Sequence, residues 1–118
     1  MNNILAARVL CAFVSVSALS VSAEPESCLD WKVETFSASS AQSSCSYFNS
    51  NKVSTRFRVR NVCDTKVSGV LSYYKEDLNN KSVMNVQSFV VSPGASRDIA
   101  NPCGMQNSAA YQVSQVTF

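Results

Sequence analysis

The sequence has 118 residues, with ten Lys and Arg, eight Asp and Glu, and no His. A chain of this length is expected to form one domain. The lack of His removes the commonest general base and the commonest metal ligand, which argues against Ser–His hydrolases and most metalloenzymes. A formal net charge of +2 is too small to predict a nucleic-acid partner.

Residues 1–23 have the pattern of a signal peptide. Arg8 precedes a Ser-diluted apolar stretch, and Val21-Ser22-Ala23 offers small residues for cleavage. The stretch is shorter than the roughly 20 apolar residues of a membrane-spanning helix. The alternative, a buried N-terminal helix, is disfavoured because alternating Ser and Val form helices poorly. We expect residues 24–118 to be a single secreted or periplasmic domain without an integral membrane segment.

The cysteines predict a disulfide framework. Cys11 leaves with the signal peptide, and an even number remains in the short exported chain: Cys28, Cys45, Cys63 and Cys103. A four-thiolate zinc site is disfavoured because the spacing lacks paired C-x₂₋₄-C knuckles. Of the three possible connectivities, the preferred one is Cys28–Cys45 with Cys63–Cys103. This pairing would hold the first strand to the loop after it and a central strand to a late one.

The first half of the exported chain predicts two strands. In residues 29–36, apolar Leu29, Trp31 and Val33 alternate with charged residues, which predicts a half-buried strand with Trp31 in the core. A Ser-rich loop follows at 37–46. Residues 53–62 alternate more clearly, with Val53, Thr55, Phe57 and Val59 on one face and Ser54, Arg56, Arg58 and Arg60 on the other.

The second half predicts four more strands. Residues 67–74 form the third, and 75–81 a hairpin tip in which Glu76 and Asp77 are expected to be solvated. Residues 83–91 are apolar on both faces in their second half, which predicts a central strand. After a Pro93-Gly94 turn, the remaining strands are expected at 97–100 and 109–118. In the last of these, a change of phase near Ser114-Gln115 predicts a bulge or a residue that passes between two environments.

This pattern predicts an all-β fold. Six or seven short strands separated by turn signals favour a small antiparallel β-sandwich, held by two disulfides. A small β-barrel is the alternative.

Candidate catalytic groups are few. Asp30 and Glu34 would share a strand face at about 13 Å, beyond the roughly 5–9.5 Å that separates glycosidase carboxylates. Tyr73 and Tyr74, candidates for a sugar-stacking surface and not for catalysis, would point to opposite faces of their strand, so at most one is exposed there. We therefore expect no enzyme, no cofactor and no metal.

The candidate binding site is a stripe of three guanidinium groups, Arg56, Arg58 and Arg60, spaced about 6.6 Å apart along one strand face. Such a stripe is suited to an anionic ligand. The alternative is cross-strand pairing with carboxylates such as Asp30, Glu34, Glu76 or Asp98.

The function expected from the sequence is non-catalytic binding of a protein or an anionic cell-surface ligand, as in an inhibitor or effector-like module. The alternative is a structural subunit of a surface appendage or coat, and a small hydrolase is a more distant alternative. No nucleic-acid partner is expected.

Overall fold

The computed structural model describes residues 24–45 and 51–118; the predicted signal peptide and residues 46–50 lie outside the described residues. A short 3₁₀ helix at Pro25–Cys28 precedes the strands. No helix in the described part is long and apolar enough to cross a membrane. All six strand predictions are confirmed, with the bounds β1 Leu29–Ser37, β2 Val53–Asn61, β3 Val67–Glu76, β4 Ser82–Val91, β5 Ser96–Ala100 and β6 Tyr111–Thr117.

The strands form two three-stranded antiparallel sheets. The strand order is β1-β2-β5 in the first sheet and β4-β3-β6 in the second. The predicted all-β sandwich is confirmed, whereas the barrel alternative is wrong because the sheets do not close.

The core lies between the two sheets, where alternate residues of each strand meet. Fully or almost fully buried side chains come from both sheets: Phe57, Val59, Leu71, Phe89 and Val91. Trp31 packs against them, edge to face with Phe89 at a centroid distance of 5.4 Å, so its predicted place in the core is confirmed. Phe89 lies over Gly69 on the neighbouring strand, where an added Cβ would come within 2.6 Å of the Phe89 ring.

The prediction that 83–91 is a central strand is wrong. This segment is β4, an edge strand that pairs with β3. Phe89 and Val91 do point into the core, but Met84, Val86 and Val90 on the other face are exposed. A strand that is apolar on both faces is typical of burial on both sides. Here the described residues cover one side only.

The predicted bulge in the last strand is confirmed. Val70 pairs with Ser114 and Ser68 with Thr117, so the step on β6 is one residue longer than the step on β3. Gln115 lies in this interval with φ of 52°, a left-handed conformation that is uncommon outside glycine.

The preferred disulfide pairing is wrong. The bonds are Cys28–Cys63 and Cys45–Cys103. Leu29 pairs with Asn61, so the antiparallel register brings the residue before β1 next to the segment after β2. Two disulfides in a chain of this size indicate an oxidising compartment.

Asn61 connects the two sheets at the end of β2. Its side chain is fully buried and donates hydrogen bonds to the Thr65 carbonyl at 2.8 Å and the Val91 carbonyl at 3.0 Å. Its Oδ1 accepts a bond from the Cys63 backbone N–H at 3.0 Å. These three bonds supply hydrogen-bond partners to backbone groups at the edge of the core and to the buried Asn61 amide. Asn61 is therefore a structural residue.

Candidate functional site

The outer faces of the two sheets differ in charge. On the first sheet, alternate outward positions of β1, β2 and β5 carry seven ionisable side chains: Asp30, Lys32, Glu34, Arg56, Arg58, Arg60 and Asp98. On the second sheet, the corresponding positions of β3, β4 and β6 include one carboxylate, Glu76 at the end of β3, and are otherwise uncharged: Ser68, Val70, Ser72, Tyr74, Ser82, Met84, Val86, Ser88, Val90, Gln112, Ser114 and Thr117. We call the seven charged positions of the first sheet the charged face and the uncharged positions of the second sheet, which exclude Glu76, the uncharged face.

Two members of the arginine stripe have carboxylate partners. Arg56 Nη2 lies 2.5 Å from Glu34 Oε1, and the Arg56 guanidinium sits over the Phe36 ring at 4.9 Å. Arg58 Nε lies 2.6 Å from Asp98 Oδ1. The register places these partners directly opposite one another on adjacent strands, and the cross-strand alternative from the sequence applies to both.

Arg60 differs from its two neighbours. Its register partners are Asp30 on β1 and Ser96 on β5, yet among the described residues it makes no ion pair within 4.0 Å. Its exposed guanidinium would be the main anchor of an anionic ligand. Anion binding by the stripe stays a prediction. Carboxylates already neutralise Arg56 and Arg58, whereas Arg60 has no such partner among the described residues.

The ion pairs shift the acid–base equilibria of the charged face. The hydrogen bond from Arg56 lowers the pKa of the Glu34 carboxyl, with smaller contributions from Lys32. The bond from Arg58 likewise lowers the pKa of the Asp98 carboxyl, and Asp98 raises the pKa of the Arg58 guanidinium. The charged forms of Glu34, Arg58 and Asp98 are therefore favoured at neutral pH.

The sign of the resulting pH dependence follows from these directions. Carboxyl groups whose pKa is lower in the folded state than in the unfolded state stabilise the fold above their ordinary pKa, 4.5 for Glu34 and 3.8 for Asp98. That contribution is lost as the pH falls through the lowered values. Between about pH 5 and about pH 2, the urea midpoint of the wild type should fall more steeply than that of Glu34→Gln/Asp98→Asn. If the urea midpoints of the two proteins fall equally over this range, the two ion pairs contribute nothing to the pH dependence of stability.

The uncharged face has an apolar half along β4 and the end of β3. Tyr74 is 50% exposed, Met84 55%, Val86 61% and Val90 43%. Tyr74 and Met84 face each other across β3 and β4, and Val86 follows on the same side. Exposed apolar side chains that adjoin in this way are typical of interaction surfaces.

A concave region adjoins this apolar half. A cavity of about 260 Å³ lies between Tyr74, Met84 and the start of β6, with Ala109 and Ala110 in its wall. Small side chains here leave space beside a tyrosine ring, a shape suited to an apolar side chain from another protein. Tyr73, the neighbour of Tyr74, instead stacks on Phe57 inside the core, so the expectation that at most one of the two is exposed is confirmed.

The carboxylates of the hairpin tip are structural in the described residues. The expectation that Glu76 is solvated is wrong: it is half-buried, pairs with Lys52 at 3.2 Å and accepts a bond from Gln106 at 2.6 Å. Asp77 Oδ1 accepts the backbone N–H groups of Asn79 and Lys81 and so closes the turn. Within residues 24–45 and 51–118, no group of three or more potential metal ligands forms a site.

The sequence analysis does not predict the uncharged face, because a segment that is apolar on both faces, such as β4, is typical of a buried strand. A signal was present, however. Alternate positions from 68 to 74 and from 84 to 90 contain no charge, whereas those from 30 to 34 and from 56 to 60 are all charged. A strand pair with neither face charged predicts an apolar surface if it lies at an edge.

Comparison with known proteins finds no matching family model, no similar curated protein and no similar solved structure.

Proposed function

We propose that this protein is a non-catalytic binding module, exported from the cytoplasm, that recognises another protein through its uncharged face. The contrast between the two outer faces carries the proposal. One face neutralises most of its own charge within the sheet. The other leaves Tyr74, Met84, Val86 and Val90 exposed, and the carboxylate nearest to Tyr74 on that strand face, Glu76, is already paired with Lys52.

The chemistry of the uncharged face favours a protein partner with an apolar contact region. Aromatic residues and Met are enriched at protein interfaces, and a few such residues near the centre supply most of the binding energy. Tyr74 is suited to that role because it lies on the middle strand, beside the cavity, with a ring that contacts and a hydroxyl that can form a hydrogen bond.

Export is supported by two independent features. The first 23 residues have signal-peptide character, and the two disulfides require an oxidising compartment to form and persist. The odd cysteine, Cys11, belongs to the segment that cleavage removes.

A structural subunit remains the second candidate, favoured by the open edge of β4. Subunits of appendages and coats pair sheet edges with neighbouring copies. Open-ended growth in size with concentration would support this candidate, whereas a discrete species supports the binding module.

The proposed function is tested by capture with two variants that add the same charge to opposite faces. Tyr74→Glu places a carboxylate on the uncharged face, and Ser96→Glu places one on the charged face beside Arg60. We expect the wild type and Ser96→Glu to retain the same protein from envelope fractions or candidate host extracts. Tyr74→Glu should retain at least about tenfold less, because a carboxylate cannot be desolvated there without a partner.

Two results would contradict the proposal. Equal retention by Tyr74→Glu would show that the uncharged face is not used. Loss of retention by Ser96→Glu alone would assign binding to the arginine stripe, because the new carboxylate would neutralise Arg60. Near-ultraviolet circular dichroism of each oxidised variant verifies that the fold is intact.

A further inference from the structure

The four sheet edges of the described structure are unequally protected against strand addition. Natural edges are protected by charge, shortness or bulges. β1 carries Asp30, Lys32 and Glu34. β5 has five residues and includes Arg97 and Asp98, and β6 is interrupted by the bulge at Gln115.

β4 has none of these protections. It is ten residues long, its sequence SVMNVQSFVV contains neither charge nor proline, and its pairing with β3 runs without a register shift. A strand of this kind offers a row of backbone N–H and C=O groups on its free side. Arg97 Nη1 donates to the Val90 carbonyl at 2.5 Å, so β5 contacts the last part of the strand. The segment from Ser82 to Ser88 is the part suited to pairing.

We propose that β4 pairs antiparallel with β4 of a second copy of this chain, about a two-fold axis at Val86. This goes beyond the proposed function, because it concerns the edge of the sheet and not its face. A closed two-fold contact uses the same surface on both subunits. The result would be a dimer with a continuous six-stranded sheet and a doubled uncharged face.

The residues of β4 match one another about that axis. Val86 would lie opposite Val86, Met84 opposite Ser88, and Asn85 opposite Gln87. No like charges would meet, because the strand has none. The Asn85 and Gln87 amides now donate only to backbone carbonyls of their own strand, at 3.3 and 3.1 Å. Across the axis these two amides could bond to each other instead, as cross-strand pairs do.

The length of the strand segment that can pair limits the expected affinity of the dimer. Within Ser82–Ser88, an axis at Val86 pairs five residues of each strand, which span about 17 Å, a narrow contact compared with a standard interface of roughly 1,600 Å². We therefore expect a reversible dimer with a dissociation constant on the order of 10–100 µM. A partner's strand is the other possible occupant of this edge.

Substitutions that place a positive or a negative charge at Val86, on the two-fold axis, test the proposal. In sedimentation equilibrium from about 5 to about 500 µM, the oxidised wild type should shift from monomer to dimer. Val86→Lys and Val86→Glu should each remain monomeric, because like charges would lie directly opposite. An equimolar mixture of the two should dimerise, which excludes misfolding as the cause. Gln112→Lys, which adds a charge to the same face on β6, should dimerise like the wild type.

Several results would overturn self-pairing. A wild type that is monomeric throughout would do so, as would a dimer that Val86→Lys leaves intact or that Gln112→Lys disrupts. A mixture that stays monomeric would show that residue 86 is not at the axis. Slowed amide exchange in β4 only after addition of a captured protein would assign the edge to a partner's strand. Tyr74-dependent capture can persist in each of these cases, so the proposed function is judged separately.

Discussion

Replacement of Cys45 and Cys103 by serine should lower the free energy of unfolding by about 4 kcal/mol. The bond closes a loop of 58 residues, so its loss greatly increases the conformational entropy of the unfolded chain. The free energy of unfolding of a small domain is roughly 5–15 kcal/mol in total, and the variant should therefore be close to unfolding at 37 °C. Urea denaturation followed by tryptophan fluorescence measures the change, since Trp31 lies in the core.

The other disulfide provides the comparison. Cys28–Cys63 closes 35 residues, and Cys28→Ser/Cys63→Ser should cost a similar or slightly smaller amount, also about 4 kcal/mol. Peptide mapping without reductant should recover Cys28 linked to Cys63. Recovery of Cys28 linked to Cys45 would contradict the connectivity, and a loss below about 1 kcal/mol in both variants would contradict the stabilising role.

Replacement of Asn61 by leucine, which has a similar volume, should lower the free energy of unfolding by about 3 kcal/mol. The change removes three hydrogen bonds and leaves the Val91 carbonyl and the Cys63 N–H without their partner. A buried polar group without a partner costs more than a hydrogen bond contributes. Asn79→Leu at the exposed hairpin tip is the matched control and should change stability by less than about 0.5 kcal/mol. Equal effects of the two substitutions would show that the Asn61 bonds are not important.

Much of the fold follows from local pattern. Period-two alternation in β1 and β2 predicts both the strands and their buried faces, because a one-residue slip would place Arg56 or Arg58 in the core. The Pro93-Gly94 turn and the bulge near Gln115 are likewise local, since each depends on a few adjacent residues.

The two wrong predictions about the fold, the central position of β4 and the disulfide pairing, both depend on contacts between segments that are distant in the sequence. The position of β4 at an edge depends on which strand lies on its other side, which its own sequence does not contain. The disulfides depend on the antiparallel register of β1 with β2, which brings Cys28 to Cys63 across 35 residues. Alternation in 29–36 and 53–62 is compatible with several antiparallel registers, and only the one that places Leu29 opposite Asn61 brings these cysteines together.

In the candidate site, too, features of a single strand can be predicted from the sequence, whereas features that involve several strands cannot. The arginine stripe was found from spacing alone, but its ion pairs depend on where Glu34 and Asp98 lie in adjacent strands. The uncharged face was not found, because it is defined by three strands together. Its importance comes from the pairing of Tyr74 with Met84 across β3 and β4.

Photo-crosslinking from the two faces tests most directly that the uncharged face is the recognition surface. Benzoylphenylalanine placed at Tyr74 should give a covalent adduct with a captured partner protein in envelope fractions or host extracts. The same group placed at Lys32, an exposed position on the charged face, should give none. Adducts from Lys32 and none from Tyr74 would contradict the account and place recognition on the charged face.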